Sequence, residues 1–173
     1  VGIERFGDNI IKYSHDGAMY YDKSGTEIWV SSYEMNNPRV YVSGDYACIA
    51  DVGGNEINIY NKSTGLTGTA KTIQPVTKAV IAENGTMAAV LEDNDAVYIN
   101  FFTKDGSSLD IAIKTTMGGD GYPVDIALSP EGTQLLAAFS YIEGGQLKSK
   151  AVFYDFSEIG KNVPNRLVGG FEE

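Results

Sequence analysis

Between Pro75 and Thr116 the chain places four short apolar segments between polar turns. The segments are Thr77–Ala82, Met87–Glu92, Ala96–Thr103 and Leu109–Thr115. β-Branched and aromatic residues are frequent in all of them but Met87–Glu92, and such side chains suit a pleated, half-buried surface. The gaps hold Gly, Asn, Asp, Lys and Ser, a turn composition. The pattern predicts one four-stranded antiparallel sheet.

The rest of the chain repeats that unit. Before it come Ile3–Phe6, Ile10–Ser14, Ala18–Asp22 and Glu27–Ser32, and then Arg39–Val42, Tyr46–Asp51, Glu56–Asn61 and Gly68–Ile73. After it come Val124–Leu128, Gln134–Tyr141, Leu147–Asp155 and Arg166–Gly169, with an irregular Ser157–Pro164 before the last strand. Gly25, Gly65 and Gly106 fall in equivalent turns about 40 residues apart, the period of a four-stranded propeller blade. Gly44, Gly85 and Gly132 mark a second equivalent turn, its last step lengthened by the glycine-rich link 117–122. The predicted fold is all-β: a β-propeller-like array of about four four-stranded antiparallel blades, one domain over 1–173. The blades are expected near 1–32, 38–73, 75–116 and 123–170.

The second strands sharpen this reading. Y-A-C-I-A, M-A-A-V-L and L-L-A-A-F-S-Y are apolar without alternation. A strand with one wet face alternates, whereas one held between two neighbouring sheets does not. Alanines there let sheets approach closely. A short helix is the competing reading, because Ala and Leu favour helices. The runs are too short for that, and each directly follows a glycine turn.

Composition narrows the function. The formal net charge is −10, with 13 Lys and Arg against 23 Asp and Glu. Nucleic-acid binding needs a basic footprint, and an anionic membrane surface is disfavoured for the same reason. A cation or a basic partner fits the charge better. One cysteine, Cys48, sits in an apolar run and reads as a small buried hydrophobe; alone it forms no internal disulfide or thiolate metal site. No apolar run has the length of a membrane span. The chain starts at Val1 rather than Met, so a piece of a longer protein is expected.

Candidate chemistry lies in the loops. In a propeller the turns after second strands share a rim with the links between blades, and here these loops are acidic. The binding candidates are Asp51, Glu92, Asp93, Asp95, Asp120 and Tyr122. Glu92-Asp93-Asn94-Asp95 resembles part of a calcium loop but lacks its glycine and distant glutamate, so a hairpin turn is the better reading. Gly118-Gly119-Asp120-Gly121 opens no helix, so it reads as a link and not as a phosphate cradle. His15, the only histidine, lies in a His-Asp-Gly turn and reads as structural. No catalytic residue, metal site or cofactor is assigned. Trp29 reads as packing in an outer strand.

The units resemble those of WD-repeat and YVTN-type β-propellers, although the Trp-Asp dipeptide is absent. Four phrases are similar to an uncharacterised bacterial propeller family, a domain of unknown function in Gram-positive bacteria. They are D-Y-A-C-I-A-D-V-G-G-N (45–55), A-A-V-L-E-D-N-D-A (88–96), I-K-T-T-M-G-G-D-G-Y-P-V-D-I-A-L-S-P-E-G-T-Q-L (113–135) and R-L-V-G-G-F (166–171). The resemblance implies an envelope protein on the extracellular side of a bacterial membrane, its anchor outside this stretch, with a propeller longer than this chain.

The expected function is a non-catalytic module that presents an acidic loop rim to a protein, peptide or glycan. A carboxylate-based carbohydrate hydrolase or lyase, or a purely structural segment, is the alternative. Four blades are few for a closed ring, so the chain is expected either to close a small ring or to self-associate through its end blades.

Overall fold

A computed structural model describes residues 1–172. It contains four antiparallel sheets, each a meander of four sequential strands. Blade 1 is β1 (Gly2–Phe6), β2 (Asn9–Ser14), β3 (Gly17–Tyr21) and β4 (Glu27–Ser32). Blade 2 is β5 (Pro38–Ser43), β6 (Tyr46–Asp51), β7 (Glu56–Asn61) and β8 (Gly65–Lys71). Blade 3 is β9 (Val76–Ile81), β10 (Met87–Glu92), β11 (Ala96–Phe102) and β12 (Ser108–Thr116). Blade 4 is β13 (Tyr122–Leu128), β14 (Gln134–Glu143), β15 (Gln146–Asp155) and β16 (Leu167–Glu172).

The core lies between blades, in three layers. Successive residues of a strand point to opposite faces, and the second strands divide their side chains accordingly. On β6, Ala47 and Ile49 join Phe6, Ile11, Ala18 and Tyr20 of blade 1. Cys48 and Ala50, on the other face of β6, join Ala79, Met87, Ala89 and Leu91 of blade 3. On β10, Ala88 and Val90 turn the opposite way, to Ile126, Leu135, Ala137 and Phe139 of blade 4. Both faces of β6 and β10 are therefore dry, which accounts for their unbroken apolar runs. Burial pushes the Cys48 thiol well above its usual range, as it does for any group that must ionise without solvent.

Local contacts lock neighbouring blades. Trp29 on β4 stacks between Tyr20 and Tyr60, with ring centroids 5.3 Å and 5.1 Å away, and its Nε1 donates to the Lys62 carbonyl at 3.1 Å. The turn at Gly106 nests against β8: a Cβ on Gly106 would collide with the main chain of Thr69.

Three details differ from the expectation. β8 starts at Gly65 and stops at Lys71, because the Asn55 side chain donates to the carbonyls of Thr72 (3.1 Å) and Ile73 (3.1 Å) and holds them in the link. The β14–β15 hairpin runs on to Glu143 and Gln146, where Gly144 and Gly145, both with positive φ, make its turn. On β14, Leu135, Ala137 and Phe139 are buried, but Leu136 and Ala138 are only half-buried. A sheet covers one face of blade 4 and not the other. The four blades accordingly form an open arc rather than a small closed ring. Among the described residues the three buried clusters join blades 1 to 2, 2 to 3 and 3 to 4.

Candidate functional site

An antiparallel meander puts the turn between second and third strands at the same end as the link to the next blade. Main-chain bonds tie these segments together here. The Met35 N–H donates to the His15 carbonyl (2.9 Å), Val52 to Asn37 (3.0 Å), Gly53 to Val76 (2.8 Å) and Glu92 to Pro75 (3.1 Å). Val52 and Val76 also form a short parallel bridge. From blade 1 to blade 3 these bonds brace the rim through its main chain. His15 is part of this bracing, its Nδ1 donating to the Met35 carbonyl at 2.8 Å.

Of the six candidate residues, the structure brings Glu92, Asp93 and Tyr122 together. A hollow of about 630 Å³ opens on the rim between blades 2 and 3, lined by Val52, Gly53, Pro75, Thr77, Glu92 and Asp93. Tyr122, from blade 4, donates through its hydroxyl to Glu92 Oε2 at 3.2 Å. Partial burial, and then the negative charge of Glu92, push the Tyr122 phenol above its usual value. Asp93 is exposed, and its main-chain N–H donates to the Ala96 carbonyl at 2.9 Å, closing the hairpin turn that the sequence suggested for 92–95.

The other three stand apart. Asp51 is buried, and one carboxylate oxygen accepts the Asn37 N–H at 2.7 Å, so it braces a link. Asp120 accepts the Thr116 N–H at 2.9 Å and folds its own turn. Asp95 is exposed on the turn tip. Among the described residues no three His, Cys, Asp or Glu side chains converge as a metal site would need. Sequence reasoning missed Val52, Gly53, Pro75 and Thr77. The Gly-Gly and Pro punctuation hinted at loops there, but the bonds that gather them are long-range.

A family model described as "Family of unknown function (DUF5711)" matches residues 1–173. The chain belongs to that family. The solved structures similar to this DUF5711 chain are propellers. Hydrazine synthase from Kuenenia stuttgartiensis superposes with a TM-score of 0.63 at 14% identity, over 96% of this chain and 46% of that one. The WD40 domain of Toxoplasma gondii coronin gives 0.63 at 8% identity, over 98% and 45%. A protein of unknown function from Bacteroides caccae gives 0.52 at 18% identity, over 95% and 57%. These likenesses establish the fold. The DUF5711 chain spans about half the length of the structures it matches. No curated protein matches its sequence.

Proposed function

We propose that this chain is a non-catalytic interaction module whose rim of inter-blade links receives a basic segment of a protein or peptide. The hollow bordered by Glu92 and Asp93 carries this reading. It is broad and open, floored by main chain and small apolar side chains, which suits contact with an extended segment better than enclosure of a reacting molecule. A braced loop surface holds its side chains in place before binding, so little ordering entropy is lost. The net charge of −10 favours encounter with cations and repels anionic polymers. In the same reading the module works on the extracellular side of a bacterial membrane, tethered by an anchor outside this stretch, as the resemblance of phrases such as 113–135 to the Gram-positive propeller family implies.

The test is fluorescence anisotropy with a labelled Lys/Arg-rich peptide, an acidic peptide of equal length and a neutral glucan oligosaccharide. A rim variant carrying Glu92→Gln, Asp93→Asn and Asp95→Asn is compared with a variant carrying Asp8→Asn, Glu83→Gln and Glu131→Gln, which changes the net charge equally among turns at the opposite ends of the strands. The basic peptide alone should bind, and the rim variant should weaken it by about tenfold while the control stays within about twofold. Equal losses in both variants, or binding of the oligosaccharide instead, would overturn the proposal.

A further inference from the structure

The two end faces of the arc are built like the faces that pack inside it. On blade 4, the face turned away from blade 3 carries Leu136, Ala138, Ala151, Phe153 and Phe171, with Phe153 and Phe171 rings 6.4 Å apart. Phe153 is 40% and Phe171 61% exposed. The corresponding face of blade 3 carries Ala88, Val90, Val97, Ile99 and Phe101, all buried by blade 4. On blade 1, the face turned away from blade 2 carries Ile3, Ile10, Met19 and Val30, all exposed, with Arg5 and Lys12 among them. The corresponding face of blade 2 carries Ala47, Ile49 and Tyr60, buried by blade 1. Each end thus repeats one half of a junction made three times within the chain. Both ends are indented: a hollow of about 330 Å³ lies beside Met19 and Val30, and one of about 260 Å³ beside Leu136 and Phe153.

We propose that the open face of blade 4 docks on the open face of blade 1 of a second copy, and the reverse, so that two chains close one ring. Three features select this occupant. The junction continues an existing interface, blade face on next blade face, with the small and aromatic side chains of blade 4 meeting aliphatic ones on blade 1. The two free ends are of opposite kind, so they pair head to tail, and a two-fold axis makes both junctions at once and leaves no apolar end exposed. The ring would hold twice the four blades of one chain, within the range of about 4–8 that closed propellers adopt. The similar solved structures, about twice as long as the stretch they share with this chain, are consistent with as many blades again.

Light scattering coupled to size exclusion, over a hundredfold range of concentration, measures the mass of the 173-residue chain. A dimer is expected throughout. Phe153→Lys and Met19→Lys, each on an exposed position, should each give a folded monomer with unchanged far-UV circular dichroism. Mixing these two monomers should restore a one-to-one complex, because the intact blade 4 of one meets the intact blade 1 of the other. A monomeric wild type would overturn the proposal and leave these faces to blades outside this stretch. Open-ended oligomers would overturn ring closure. A Met19→Lys protein that stays dimeric would show blade 4 pairing with itself, which also overturns it. Should a lysine variant fail to fold, Phe153→Ser and Met19→Ser provide the same comparison.

Discussion

Trp29 is the most direct handle on how two blades hold each other. Its ring lies between Tyr20 of its own sheet and Tyr60 of the next, nearly parallel to the latter at an interplanar angle of 4°. Truncating a buried aromatic to alanine costs about 3–5 kcal/mol. Trp29 is only half-buried, which moves the expected loss for Trp29→Ala to the lower end, about 3 kcal/mol. For a chain of this length that corresponds to about 6–12 °C in Tm. Trp29→Phe keeps a ring in the stack and loses the bond to the Lys62 carbonyl, so about 1 kcal/mol is expected from the bond and a little more from the smaller ring. Urea unfolding followed by far-UV circular dichroism gives both values on one scale. Trp29 is the single tryptophan, so its emission in the parent protein should shift red in the same transition. If both variants lay within about 0.5 kcal/mol of the parent, the stack would not be a structural contact and the blade 1–2 junction would need another account.

Two further outcomes follow from the same geometry. Gly25 and Gly106 sit in equivalent turns with φ of 83° and 84°, so alanine strains both by about 1 kcal/mol, but only at Gly106 does the new methyl strike another blade. Gly106→Ala should lower Tm clearly more than Gly25→Ala, and equal losses in thermal melts would argue against close packing of blade 3 on β8. Acid should destabilise the fold through carboxylates held below their ordinary value of 3.8, among them Asp125, chiefly by the Lys78 ammonium, and Asp155, chiefly by the Ser157 hydroxyl. A depressed folded-state pKa contributes stability above the unfolded value and loses it as pH falls through the folded one, so Tm should hold between about pH 5 and 7 and drop below about pH 4. A drop concentrated above pH 5 would contradict this.

The fold was legible because each blade is local. Strand, glycine turn and next strand lie within a few residues, and the dry runs of β6 and β10 announce a sheet on either side. The same local logic misread β14. Its run L-L-A-A-F matches those of β6 and β10, yet the structure leaves Leu136 and Ala138 open on one side, because an apolar face does not reveal whether its partner is in the same stretch. The candidate site was legible only in composition. Six residues share acidic or loop character, but hydrogen bonds separate them: Asp51 and Asp120 fold their own loops, and Glu92 meets Tyr122 across 30 residues. The hollow itself depends on pairing between Val52 and Val76, which no local pattern encodes.

The claim beneath all of this is that β10 is buried on both faces by different blades. Ala88 and Ala89, adjacent in sequence and both fully buried, point to blade 4 and to blade 2 respectively. Ala88→Leu and Ala89→Leu should each destabilise the protein by about 1–3 kcal/mol in chemical denaturation, because neither side has room for three more carbons. If either substitution proved neutral while the other was costly, β10 would have one free face and the blade-on-blade arrangement would be wrong.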